Sequence, residues 1–254
     1  MFIDTHTHLH FEEYDQDREE VIQRAVDSNV KRMISLGTDY FSSVQTVEIS
    51  RKHEPVFAAA GIHPSEAHLA KKEDYQRIKT LVKRESKIVA VGEIGLDFYW
   101  DSSNAKQQYS TFRKMIDLAM EVDLPVVIHN RSAHREMEWF FQENKIFELQ
   151  GVMHCFSGDI EDARFYLDMG LHISYTGNIT YQDFRKLHVV KFIPLDRILL
   201  ETDSPYMTPA PYRKKRNEPA YVPYIAEKLA GLHRKPVNEI ARITTDNAKR
   251  LFGL

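Results

Sequence analysis

The chain has 254 residues, 43% of them hydrophobic and 28% charged, with a formal net charge of −3. That length suits one large core, so a single domain over residues 1–254 is expected, and the negative balance excludes a globally basic nucleic-acid coat. The only cysteine, Cys155, excludes an intrachain disulfide and points to a reducing compartment.

In chain order, short apolar runs alternate with stretches of helical spacing. The first run is Phe2-Ile3, directly before "DTHTHLH". Asp17 and Glu20 predict a capping box for a helix burying Val21, Ile22, Ala25 and Val26. Further runs lie at 33–36, 56–60 and 88–91. Phe112, Met115, Ile116 and Ala119 then repeat the i, i+3, i+4, i+7 pattern of a helix. The runs at 126–128, 152–153, 171–173 and 198–200 follow, and 236–251 reads as one more helix. Runs this short and this apolar suit strands buried on both faces of a parallel sheet. Eight of them alternating with helices predict a (β/α)₈ TIM barrel with an additional C-terminal helix. No GxGxxG follows a strand, which argues against a dinucleotide fold. No run approaches the roughly 18 apolar residues of a membrane span. Asp4, His6 and His8 do not fit a signal peptide, so a cytoplasmic protein with no membrane partner is expected.

Metal-type side chains fall at the downstream end of strand after strand. His6 and His8 follow the first, His63 the third in "GIHP", and Glu93 ends the fourth in "VGEIGLD". His129 ends the fifth, His154 the sixth, and Glu201 and Asp203 the eighth in "LLETDSP". In a parallel barrel these ends converge on one face, where barrel enzymes keep their sites. Residues i and i+2 of a strand point the same way, so His6 and His8 can grip one ion together. The set suits two divalent ions: His6, His8 and Asp203 on one, His129 and His154 on the other, and Glu93 as the bridge. Zn²⁺, Mn²⁺ and Mg²⁺ all remain candidates. Asp203 is placed to orient or deprotonate a water, with Glu201 behind the ligands as its catalytic partner.

Other polar residues read more plainly. His10, His53, His68, His134, His188 and His233 are expected at the surface, and His172 in the core. Cys155 is expected to face away from His154 and to pack as a small hydrophobe. The run "YRKKRNEP" follows strand eight, where barrel loops often hold phosphate, so Arg213, Lys214, Lys215 and Arg216 are candidate phosphate contacts. Tyr99, Trp100, Tyr206 and Tyr212 lie in loops of the same face and are candidates for stacking on bases.

"FIDTHTHL", "GIHP", "VGEIGLDFY", "VIHNR", "HCFSG", "LLETDSPYMTP" and "RNEP", in that order across nearly the whole chain, resemble the TatD family of metal-dependent deoxyribonucleases. The resemblance implies a TIM barrel, a two-metal site and hydrolysis of DNA phosphodiesters, commonly from 3′ to 5′. It supports the same six ligands and implies that His63 and Arg131 help hold substrate phosphate. Lys214 stands where related loops usually carry glycine. Glu93 stands where many amidohydrolases carry a carboxylated lysine. A rival reading with the same ligands is hydrolysis of an amide or ester, either in a small molecule or on aminoacyl-RNA; the basic run argues for DNA as the partner.

Overall fold

A computed structural model describes residues 1–99 and 102–254. Eight parallel strands pair in sequence order: β1 (Phe2–Thr7), β2 (Val30–Leu36), β3 (Val56–Ala60), β4 (Ile88–Asp97), β5 (Val126–Arg131), β6 (Gly151–Met153), β7 (His172–Tyr175) and β8 (Ile198–Leu200). The helices between them are α1 (Arg18–Asp27), α2 (Tyr40–Lys52), α3 (Lys72–Arg84), α4 (Ala105–Val122), α5 (His134–Glu143), α6 (Ile160–Asp168) and α7 (Leu187–Phe192). After β8 come α8 (Val222–His233) and the additional helix α9 (Val237–Phe252). The expected (β/α)₈ barrel with its extra C-terminal helix is therefore the observed fold. Among the described residues, no helix is long and apolar enough to cross a membrane.

Alternation along each strand divides the core in two. Ile3, Ile34, Leu36, Ala59, Ala90, Val127, Val152 and Leu199 point inward and pack with Phe252 of α9. Their neighbours Met33, Ala58, Val91, Val126, Ile128, Met153 and Ile198 point outward against the helices. Two residues beyond the inward Val127, Val152 and Leu199 stand His129, His154 and Glu201, so the period of two carries the inward direction up to the polar end of the barrel. Helix α9 also ties the ends of the sheet together. Asn247 donates to the carbonyls of Leu195 (2.8 Å) and Ile198 (2.9 Å), and Thr245 donates to Met1 (3.0 Å).

The seam between the last strand and the first closes through a parallel bridge from Thr7 to Ser204. There the Asp203 N–H donates to the His6 carbonyl at 2.9 Å, and the His8 N–H to the Ser204 carbonyl at 2.9 Å. Three local expectations are corrected. Strand β4 does not end at Glu93 but runs on to Asp97. This is possible because Gly95, at φ +143°, passes so close to β5 that an added Cβ would sit 1.9 Å from the His129 carbonyl oxygen. Asp17 stands at the start of α1 but makes no side-chain cap; its carboxylate faces Arg216 and Arg24 instead. His10 is buried rather than at the surface, with its ring packed edge-on to Phe11.

Candidate metal centre

The six predicted ligands meet at the C-terminal mouth of the barrel as two groups around one carboxylate. His6 Nε2 and His8 Nε2 lie 3.2 Å apart, and Asp203 Oδ1 lies 3.8 and 3.6 Å from them. Glu93 Oε2 faces this pair at 3.5 and 3.6 Å. On the other side, His129 Nδ1 and His154 Nε2 lie 3.1 Å apart, and Glu93 Oε1 reaches them at 2.9 and 2.8 Å. His63 Nε2 stands 3.6 Å from the same oxygen. One oxygen of Glu93 thus serves each pair of histidines.

These separations fit a cation. Two ligands about 2.1 Å from a common ion, at angles of about 90–109°, are themselves about 3.0–3.4 Å apart, which brackets both histidine pairs. The tautomers agree. His8 Nδ1–H donates to the Leu36 carbonyl at 3.0 Å, leaving the Nε2 lone pair for the site. His129 Nε2–H donates to Asp97 Oδ2 at 3.0 Å, leaving Nδ1. Such carboxylate and carbonyl partners fix ring orientation and raise ligand basicity. Burial alone would raise the Glu93 carboxyl, but His154, His63, His6 and His129 together hold it well below the usual carboxylate range. Burial likewise pulls His154 down, and Glu93 and Glu201 outweigh it, so its ring is pushed well above the usual value. His63 is pushed down to about 3, first by burial, and stays neutral. The cluster therefore keeps a buried negative bridge among histidines, an environment that a divalent ion completes.

Two residues that sequence reasoning did not single out support the ligands. Asp97, the partner of His129, also accepts the Tyr99 N–H at 3.0 Å on its other oxygen. Asp4 is fully buried and accepts the N–H groups of Thr202 (2.9 Å) and His6 (3.2 Å) and the Thr202 hydroxyl (2.5 Å). Burial raises its carboxyl to about 8 against the opposing pull of those bonds. It ties β1 to the chain after β8, and so fixes His6 relative to Asp203. Glu201 is fully buried beneath the site, accepting the Cys155 N–H at 2.6 Å and the Ser174 hydroxyl at 2.7 Å, with His154 Nδ1 at 3.6 Å.

Residues 3–253 match the family described as TatD related DNase. The chain belongs to this family. It is 45% identical over 255 residues to the metal-dependent hydrolase YabD of Bacillus subtilis (strain 168), covering all of both chains. It is 35% identical over 251 residues to the 3′-5′ ssDNA/RNA exonuclease TatD of Erwinia amylovora, covering 95% of this chain and 96% of that one. The crystal structure of the TatD homolog YjjV from Escherichia coli K12 superposes with a TM-score of 0.93 at 30% identity, over 100% of this chain and 98% of that one. The TatD family is one of metal-dependent hydrolases, and among the described residues three overlapping groups could hold a metal ion: His6, His8 and Asp203; His6, Glu93 and His154; and His63, Glu93 and His129.

The remaining predicted residues of this TatD-family site are spread around a cleft of about 740 Å³ over the ligands. His63 and Arg131 line it, and the Arg131 guanidinium lies 3.8 Å above the Tyr99 ring. Cys155 also lines it, against expectation: β6 ends at Met153, and a left-handed turn at Cys155 (φ +44°) breaks the alternation that would have turned the thiol away. Residues 213–216 are not among the described residues lining the cleft. Arg216 makes a two-nitrogen contact with Asp17 (2.8 and 2.7 Å) and lies 4.6 Å over the Tyr14 ring. Arg213 faces Asp183 at 3.4 Å and stacks on Tyr181, whereas Lys214 and Lys215 are exposed. Of the stacking candidates, Tyr206 lines the cleft and Tyr212 packs flat on Tyr221 at 4.8 Å. Trp100 lies outside the described residues.

Proposed function

We propose that this chain hydrolyses phosphodiester bonds in single-stranded nucleic acid from the 3′ end, using two divalent ions. His6, His8 and Asp203 would hold one ion and His129 and His154 the other. The observation that carries the reading is the division of Glu93, one carboxylate oxygen to each histidine pair. When bound, divalent ions lower the pKa of water and offset the charge that develops on phosphoryl oxygens.

The chain's own residues supply the rest. Asp203 orients the attacking water and takes its proton, with its position fixed by the backbone bond to His6. Water oxygen adds to phosphorus, the P–O3′ bond breaks, and the leaving O3′ takes up a proton from solvent water, the one Asp203 received being returned to solvent. The terminal nucleotide leaves as a 5′-monophosphate, and the shortened strand ends in a 3′-hydroxyl. His63 and Arg131 flank the ligands and hold non-bridging phosphate oxygens. Glu201 braces the turn that carries His154. Lys214 and Lys215, with Arg213 and Arg216 beside them, meet the backbone outside the cleft. The exonuclease name of the Erwinia amylovora relative supports this direction and a single-stranded substrate, RNA included.

One observation favours the rival, an amide or ester hydrolase: among the described residues, Arg131 is the only Lys or Arg lining the cleft. The test is incubation with 3′-labelled single- and double-stranded DNA and with RNA, with and without chelator and added Mn²⁺, Mg²⁺ or Zn²⁺. Stepwise shortening of single strands that chelation abolishes is expected. Intact strands beside metal-dependent hydrolysis of a small ester or amide would overturn the reading.

A further inference from the structure

The walls of the cleft differ in chemistry. Beyond the second histidine pair, the lining is polar and cationic: Asn130 and Arg131, which follow His129 on β5, and Ser157, which follows His154. Beside the first pair it is aromatic and apolar. The Phe11 ring lies parallel to the ligand His8 ring, with centroids 4.7 Å apart and planes 8° off parallel. Tyr206 meets Phe11 edge to face at 6.1 Å, and Met207 follows in the left-handed region at φ +56°. Soluble proteins bury such side chains where they can, yet Tyr206 is 53% and Met207 39% exposed.

This wall is held in place. Asn217 donates to the Tyr206 carbonyl, and the Tyr206 N–H donates to the Asp203 carbonyl at 2.9 Å. Behind the loop, Gly177 approaches so closely that an added Cβ would sit 2.2 Å from the Met207 carbonyl oxygen. A held aromatic step, half-buried at Phe11 and exposed at Tyr206, that continues directly from the His8 ring offers a face to a flat partner. Phosphate has no use for it.

We propose that Phe11 and Tyr206 form a stacking step for one of the two nucleobases flanking the scissile phosphate, and so make the enzyme sense the presence of that base. The inference rests on the nuclease reading above. Every base has a π-face, so the step favours unpaired over paired ends without choosing among sequences. The opposite wall, with Arg131, is left for the backbone. The division of the cleft thereby orients the strand across the centre.

The test compares kcat/KM for single strands with both flanking bases intact and for strands made abasic at one flanking position or the other. In the parent enzyme, abasic substitution at one of the two positions should lower kcat/KM by about 5- to 150-fold, the range spanned by one base–aromatic stack. In Tyr206→Ala and Phe11→Leu that ratio should fall toward one. The cycle reads the interaction itself rather than general damage to the site. As a second measurement, 2-aminopurine at the sensitive position, behind a methylphosphonate linkage, should lose fluorescence on binding the parent and lose less with Tyr206→Ala. Cleavage indifferent to the abasic substitutions, or a ratio unchanged in both variants, overturns the stacking step and leaves the nuclease reading intact. No shortening of any strand by the parent overturns both.

Discussion

Replacing Asp97 by Asn should weaken one ion and spare the other. Asp97 serves two donors at once, with Oδ2 accepting from His129 Nε2–H at 3.0 Å and Oδ1 accepting from the Tyr99 N–H at 3.0 Å. Asparagine has the same shape but one oxygen. Whichever way its amide turns, one of the two donors meets an NH₂ group. If that donor is His129, the ring loses the bond that fixes its tautomer and directs Nδ1 at Glu93 Oε1. If it is Tyr99, the chain beneath the Arg131–Tyr99 stack loosens, and His129 keeps only a neutral amide oxygen where a carboxylate had raised its basicity. Loss of such a partner to a ligating histidine typically costs 10–100-fold in metal affinity, about 1.4–2.7 kcal/mol. The first site has no contact with Asp97: His6, His8 and Asp203 are held by Leu36, Asp4 and the β1–β8 seam. Calorimetric titration of metal-stripped protein with Mn²⁺ should therefore show one unchanged class of site and one weakened by roughly 10–100-fold, with an unaltered thermal midpoint for the metal-free protein. Two unchanged sites would refute the role given to Asp97. Equal weakening of both would refute the division into separate ligand groups.

Other outcomes follow from the same geometry. Glu93→Gln removes the charge shared by both groups and should lower occupancy at both sites, read by elemental analysis beside Asp203→Asn, which should keep most metal while losing on the order of 10²–10⁴ in rate. Lys214→Ala with Lys215→Ala should flatten the salt dependence of DNA binding by up to about 0.7 in slope per lost single-strand contact, measured by titrating affinity against salt. Arg216→Ala should act mainly on stability; its pair with Asp17 is partly exposed, so the loss should be about 0.5–1 kcal/mol by denaturant unfolding. That pair also has a pH signature. The bond to Arg216 holds Asp17 down at about 2, so its contribution is complete above the unfolded carboxylate range near pH 4 and is lost as pH falls toward 2. The Arg216→Ala variant should be less sensitive to acid across that window.

The convergence of the candidate residues is legible in the sequence because a strand's period of two is rigid. Once Val127, Val152 and Leu199 are known to point inward, His129, His154 and Glu201 must do so as well. Asp97 was harder to see, because "VGEIGLDFY" reads as a strand ending at its glutamate, and only the close passage of Gly95 over β5 carries the strand four residues further. Asp4 left a signal that could have been used: a carboxylate inside a buried strand requires donors. Its donors at Thr202 are 198 positions away, which no local pattern supplies. Cys155 departs from its expected orientation because alternation does not hold two residues past the end of β6. The basic run was placed on the right face, but its long side chains depend on distant acids. Arg216 turns to Asp17, 199 positions away, leaving the cleft with Arg131.

The proposed function depends on the joint action of two divalent ions that would share Glu93. It is tested most directly by titrating metal-stripped protein with Mn²⁺ or Zn²⁺ while recording both bound metal and the rate of shortening of a 3′-labelled single strand. Activity should stay near background through the first equivalent, rise with the second and saturate at two ions per chain. Full activity at one ion per chain would rule out joint action of two ions.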